Sequence, residues 1–108
     1  PGMKTRFRAL HDYTAKLPLC AATESEELAG LTTRQAIELG VMNGIAFEIE
    51  GYAARMRSQI DDLCVIFTGG DANFFVKRIK NTIFANCNLV FCGLNRILEY
   101  NASEEHLN

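Results

Sequence analysis

The segment "TTRQAIELGVMNGIAFEIEGYAARMRSQ", residues 32–59, constrains this chain more than any other. Thr32 and Gln35 have capping-box spacing, in which the first side chain accepts from a free amide of the opening turn and the second reaches back. A helix from Thr33 to about Gln59 follows, roughly 40 Å long at ~1.5 Å per residue. Ile37, Val41, Ile45, Ile49, Tyr52 and Met56 form one stripe, and Ala36, Gly40, Gly44, Phe47, Gly51 and Ala54 form a second face of small residues with one aromatic. Each interior glycine costs a helix on the order of 1 kcal/mol relative to alanine, so three of them imply close packing. A helix that is apolar or small on two faces must be covered on both, by the rest of its own domain or by another subunit. A homodimer through this helix is the expectation.

The flanking sequence supplies less. Met3, Phe7, Leu10, Thr14 and Leu17 recur at helical spacing and predict an amphipathic helix closed by Pro18. "PLCAATESEELAG" has no sustained period and reads as a surface connection. The run Leu63 to Phe67 is apolar and β-favouring, which predicts a buried strand ended by Gly69 and Gly70. Asp71 then stands as N-cap of a short helix containing Phe74, Phe75 and Ile79 and the basic Lys77, Arg78 and Lys80. "NLVF", Asn88 to Phe91, predicts a second strand, followed by a last helix with Leu94, Ile97 and Leu98 and a polar, frayed tail. The order predicts an α/β chain in which two strands joined by a helix pair in parallel. Two strands make too small a sheet to cover these helices, so further strands are missing or are supplied by a partner.

Composition narrows the function classes. At 108 residues, 48% hydrophobic and 22% charged, one domain is expected. A formal net charge of −2 gives no electrostatic reason for a nucleic-acid partner. No stretch approaches the ~18 apolar residues of a membrane span, and the opening "PGMKTRFRALHDY" lacks a signal-peptide core, so no membrane partner and a cytoplasmic location are expected. Asn101 and Ser103 complete a glycosylation sequon that a cytosolic chain would not use. Cys20, Cys64, Cys87 and Cys92 include no C-x-x-C pair and read as buried, reduced thiols.

Two places could carry chemistry. Thr68, Gly69 and Gly70 lie between a strand and a helix N-terminus, where free amides attract anionic oxygens and glycine allows close approach. Such a turn is more often a plain strand-to-helix connection, and it is neither a Walker A loop nor a dinucleotide fingerprint. Thr33, in the first turn of the long helix, has a free hydroxyl if Thr32 is the cap, to hold a ligand or merely to meet solvent. His11, Asp12 and His106 are too scattered for a dyad or metal site, and no nucleophile–base pair is evident.

Several motifs nevertheless fall in an ordered set: "PG" at 1–2, "ALHDYTAKLP" at 9–18, "TTRQAIELGVMNG" at 32–44, "FTGGDA" at 67–72 and "CGLNRILEYN" at 92–101. In these the chain resembles the C-terminal half of a type III pantothenate kinase, of the superfamily that contains actin and the sugar kinases. The resemblance implies the C-terminal portion of an actin/ribonuclease-H-like kinase domain, with residues 1–108 one domain fragment of a two-domain enzyme. It implies ATP-dependent phosphorylation of pantothenate to 4′-phosphopantothenate in coenzyme A biosynthesis, with magnesium, with potassium or ammonium, and as a homodimer. The residue matching Thr33 reaches the pantothenate pocket of the other subunit in that family, and Thr68, Gly69 and Gly70 match the turn facing the nucleotide. Absent here are the family's Asp-x-Gly-Asn-Thr phosphate loop, its Gly-x-Asp-Arg segment with the general base and its Asp-x-Gly-Thr motif near the cation. These residues alone are therefore expected to be inactive, with the parent protein a kinase. The competing expectation is a non-catalytic dimerisation or nucleotide-binding module of the same fold.

Overall fold

The computed structural model describes residues 1–79, 83–85, 97–98 and 100–102. Helix α1 spans Met3–Asp12, α2 Thr33–Arg57 and α3 Ala72–Arg78; strands β1, Val65–Phe67, and β2, Ile83–Ala85, pair in parallel with Val65 opposite Ile83. Residues 97, 98 and 100–102 are also helical.

Helix α2 starts as its sequence dictates. The Gln35 amide donates to Thr32 Oγ1 at 3.1 Å, while the Gln35 side chain accepts from the Leu31 amide at 3.0 Å, one residue earlier than a capping box requires. Upstream, Gly30 approaches this turn so closely that a Cβ there would lie 2.5 Å from the Ala36 nitrogen. Only glycine fits that approach.

Helix α1 stops at Asp12, short of the expected Leu17. The Thr14 hydroxyl donates to the Leu10 carbonyl and His11 Nδ1 lies 2.7 Å from the Leu17 oxygen, so the chain folds back along the helix end. Pro18 disfavours helical geometry at Leu17.

The core forms where α1 crosses the first half of α2. Met3 and Phe7 meet Ile37, Val41, Met42 and Ala46, joined by Cys20 from the loop and by Phe75 and Ile79. Met42 is fully enclosed. Burial on α2 thus includes Leu39, Met42 and Ala46, which belong to neither face expected from the sequence, while Tyr52 and Met56 at the end of the expected stripe are 73% and 50% exposed. On the small-residue face Ala36, Gly40, Phe47, Gly51 and Ala54 are exposed, and Gly44 is half-buried. A Cβ at Gly40 or Gly51 would meet nothing within 4 Å.

Two strand expectations change. β1 is shorter than Leu63 to Phe67 and half-covered, with Ile66 49% exposed between half-buried Val65 and Phe67, because a two-stranded sheet shields few faces. Its partner is "IFA" at 83–85, which the sequence reading passed over; the strand expected at Asn88 to Phe91 lies outside the described residues. So do Leu94, the tail from 103, Cys87 and Cys92. Cys20 is buried as expected, whereas Cys64, just before β1, is exposed.

Candidate functional site

β1 delivers the chain to an open turn. Thr68, Gly69 and Gly70 are all exposed, and the Ala72 amide closes the turn on the Gly69 carbonyl at 3.3 Å. Gly69 has φ 101°, a conformation that a side chain would strain. Gly70 has no such constraint, and a Cβ there would meet nothing within 4 Å. Neither strain nor packing among the described residues calls for glycine at 70. A bare backbone there is available to something outside the chain.

The following helix is short. α3 has seven residues, and Asp71, although at the N-cap position, makes no capping hydrogen bond with its side chain. Two turns of helix carry little macrodipole, so the turn offers close access to backbone more than a strong positive potential.

Gly70 opens onto a cleft of about 460 Å³, within the size range of small-molecule sites. Asn73, Phe74 and Lys77 of α3 form one wall, and Thr23, Glu24 and Glu26 of the long connection form the other. Phe74 is 39% exposed, which leaves an aromatic surface facing a wall that bears two carboxylates.

That second wall is held by two residues whose role the sequence reading missed. Arg78, at the end of α3, donates from Nη1 to Asn43 Oδ1 at 3.0 Å and from Nη2 to the carbonyls of Thr23, at 2.9 Å, and Ser25. Asn43, on α2, donates in turn to the carbonyls of Glu27 at 2.8 Å and Leu28 at 3.4 Å. Hydrogen bonds from a charged donor are worth about 1.5–3 kcal/mol each, and the planar guanidinium reaches several acceptors at once. The only sequence signal was an amide side chain set among the apolar and small residues 39–47 of α2.

Thr33 occupies the first position of α2 with Thr32 as cap, exposed as expected. It lines a different space, a mainly apolar groove of about 690 Å³ between α1 and α2, with Leu10 and Leu17 on one side and Ala36 and Gly40 on the other. Arg6 spans the two helices, pairing with Glu48 at 2.5 Å and donating from Nε to the Pro1 carbonyl at 2.9 Å. Thr33 and Gly70 therefore line separate clefts. Among the described residues no three His, Cys, Asp or Glu side chains are grouped to hold a metal ion, and no helix is long and apolar enough to cross a membrane.

The family model for type III pantothenate kinase matches residues 1–55, which contain α1, the long connection and nearly all of α2. The type III pantothenate kinase of Flavobacterium psychrophilum is 49% identical over 100 residues, covering 93% of this chain and 42% of that protein. That of Flavobacterium johnsoniae is 44% identical over 93% of the chain and 41% of its own length, and that of Christiangramia forsetii 42% identical over 96% and 43%. The chain thus spans less than half the length of the curated relatives it matches.

Proposed function

Because the chain belongs to the type III pantothenate kinase family, we propose that it works within an enzyme that transfers the γ-phosphoryl group of ATP to pantothenate. The product is 4′-phosphopantothenate, made in the cytoplasm on the way to coenzyme A. In this reading residues 1–108 are the C-terminal domain portion of an actin-like kinase. Thr68, Gly69 and Gly70 face the nucleotide, and Thr33 faces pantothenate.

The observation that carries the reading is Gly70, which bares its backbone over a cleft of about 460 Å³ without any need of its own fold for glycine. Phosphoryl transfer relies on positioning and on charge stabilisation around the γ-phosphate. The turn contributes positioning, by letting nucleotide oxygens approach backbone amides that a side chain would shield. Magnesium travels with ATP and neutralises phosphate charge. Among the described residues no three His, Cys, Asp or Glu side chains are grouped to hold it. Its ligands, the base and the potassium or ammonium site are assigned in this reading to the family motifs that this sequence lacks.

The homodimer belongs to the same proposal. The exposed Gly40, Gly51 and Ala54 let a second helix approach α2 closely, and Phe47, Tyr52 and Met56 supply apolar area that the described residues leave exposed. Thr33 is then placed to serve a pocket completed by the second copy.

The complete enzyme, incubated with ATP and pantothenate, is expected to form 4′-phosphopantothenate detectable by mass spectrometry. Residues 1–108 alone are expected to form none. Absence of product from the complete enzyme contradicts the proposal.

A further inference from the structure

The connection between α1 and α2 forms neither helix nor strand over residues 17–27, yet part of it builds a wall of the cleft at Gly70. Local bonds give it little: the Ser25 amide donates to Thr23 Oγ1 at 3.2 Å and the Glu27 amide to Ser25 Oγ at 3.4 Å. Four of its carbonyls, those of Thr23, Ser25, Glu27 and Leu28, are instead held by Arg78 and Asn43. Those two side chains bond each other at 3.0 Å, so α2, α3 and the loop meet at one polar junction. The junction is partly buried, and Arg78 leaves α3 on the same helix that follows the Gly70 turn. One pair therefore fixes the distance between the two walls.

We propose that Arg78 and Asn43 are positioning residues for the nucleotide, holding residues 23–28 across the cleft from Gly70 and Phe74 so that the nucleoside end of ATP is gripped between them. This rests on the reading that the Thr68–Gly70 turn faces ATP. The pair acts through the loop carbonyls. Glu24 and Glu26 repel phosphate from that wall, whereas Lys77 on the α3 side attracts it. Arg78, which also lines the cleft, is engaged with Asn43 and the loop carbonyls. The part of the nucleotide the loop wall meets is therefore the base and the ribose hydroxyls. Arginine suits the role because its fork serves Asn43 and two carbonyls together, whereas a lysine ammonium on a flexible stem fixes fewer acceptors. Asn43 suits it because an amide accepts from Arg78 and donates to the loop at once.

The test uses the complete enzyme, with ATP affinity measured by calorimetry and backbone hydrogen exchange followed over residues 23–28 and, as a control on the core, residues 37–46. Arg78→Met is expected to weaken ATP binding about tenfold, the loss of one or two such contacts, and to speed exchange over 23–28 alone. Arg78→Lys is expected to recover part of the affinity. Asn43→Asp keeps the acceptor for Arg78 but sets a carboxylate against the Glu27 and Leu28 carbonyls, and is expected to loosen the loop and weaken ATP binding to a lesser degree. Pantothenate KM is expected to stay within about twofold in all three. Unchanged ATP affinity in Arg78→Met despite faster loop exchange overturns the proposal, as does exchange rising equally over 37–46, which marks a general folding role. An unaltered enzyme that binds ATP but forms no phosphopantothenate overturns the kinase reading and leaves this inference to its own result; one that binds no ATP overturns both.

Discussion

Residues 33–46 and 47–57 of α2 share one pattern of apolar and small residues, but most of the cover falls on the first set. Ile37, Leu39, Val41, Met42 and Ala46 are buried in the first, whereas Ala53 alone is buried in the second and Phe47, Tyr52 and Met56 stand 50% exposed or more. The pattern encodes a demand for burial. What meets it is neighbouring surface, and α1, Cys20, Phe75 and Ile79 all lie against the first half. The second half presents the same demand to something outside the described residues.

The contrast can be broken most severely at Met42. Met42→Ala should destabilise the chain by about 2–5 kcal/mol in urea unfolding, because a fully enclosed side chain leaves a cavity. Met56→Ala in the exposed half should cost under about 0.5 kcal/mol in the unpaired chain. Similar losses at both positions would erase the distinction. Gly30→Ala sharpens it from the loop side, since its Cβ would press on the first turn of α2; a loss of about 1–3 kcal/mol is expected from overpacking. Gly51→Ala should do the reverse, stabilising the unpaired helix by about 0.5–1 kcal/mol through propensity while weakening self-association in equilibrium sedimentation. A monomeric mass for the unaltered enzyme at high concentration would count against pairing through this face. The smallest effect belongs to Arg6 and Glu48, an ion pair whose carboxylate partner is 55% exposed; Glu48→Gln should cost no more than about 1 kcal/mol, less at high salt.

The same contrast marks how far the sequence could be read. Local chemistry was legible: Thr32 caps α2, no regular element precedes it over residues 17–27, and a glycine turn ends β1. The strand at 83–85 was not legible, and the one expected at 88–91 lies outside the described residues. "IFA" at 83–85 and "NLVF" at 88–91 are equally short apolar runs, and periodicity cannot rank them. Thr14 and Leu17 keep the helical period of α1 in sequence, although the helix ends at Asp12 ahead of Pro18. The junction of Arg78 and Asn43 was out of reach, because it joins residues 35 positions apart and then a loop 55 positions away. Of the candidate residues, the positions of Thr33 and Gly70 were legible, but not that they line separate clefts.

That separation makes the decisive measurement a comparison of two substrates. In the complete enzyme, Gly70→Val is expected to raise ATP KM about tenfold or more with pantothenate KM nearly unchanged, and Thr33→Ala is expected to do the opposite. Steady-state kinetics that leave both constants unaltered in both variants, or that move both together, would contradict the assignment of one cleft to each substrate.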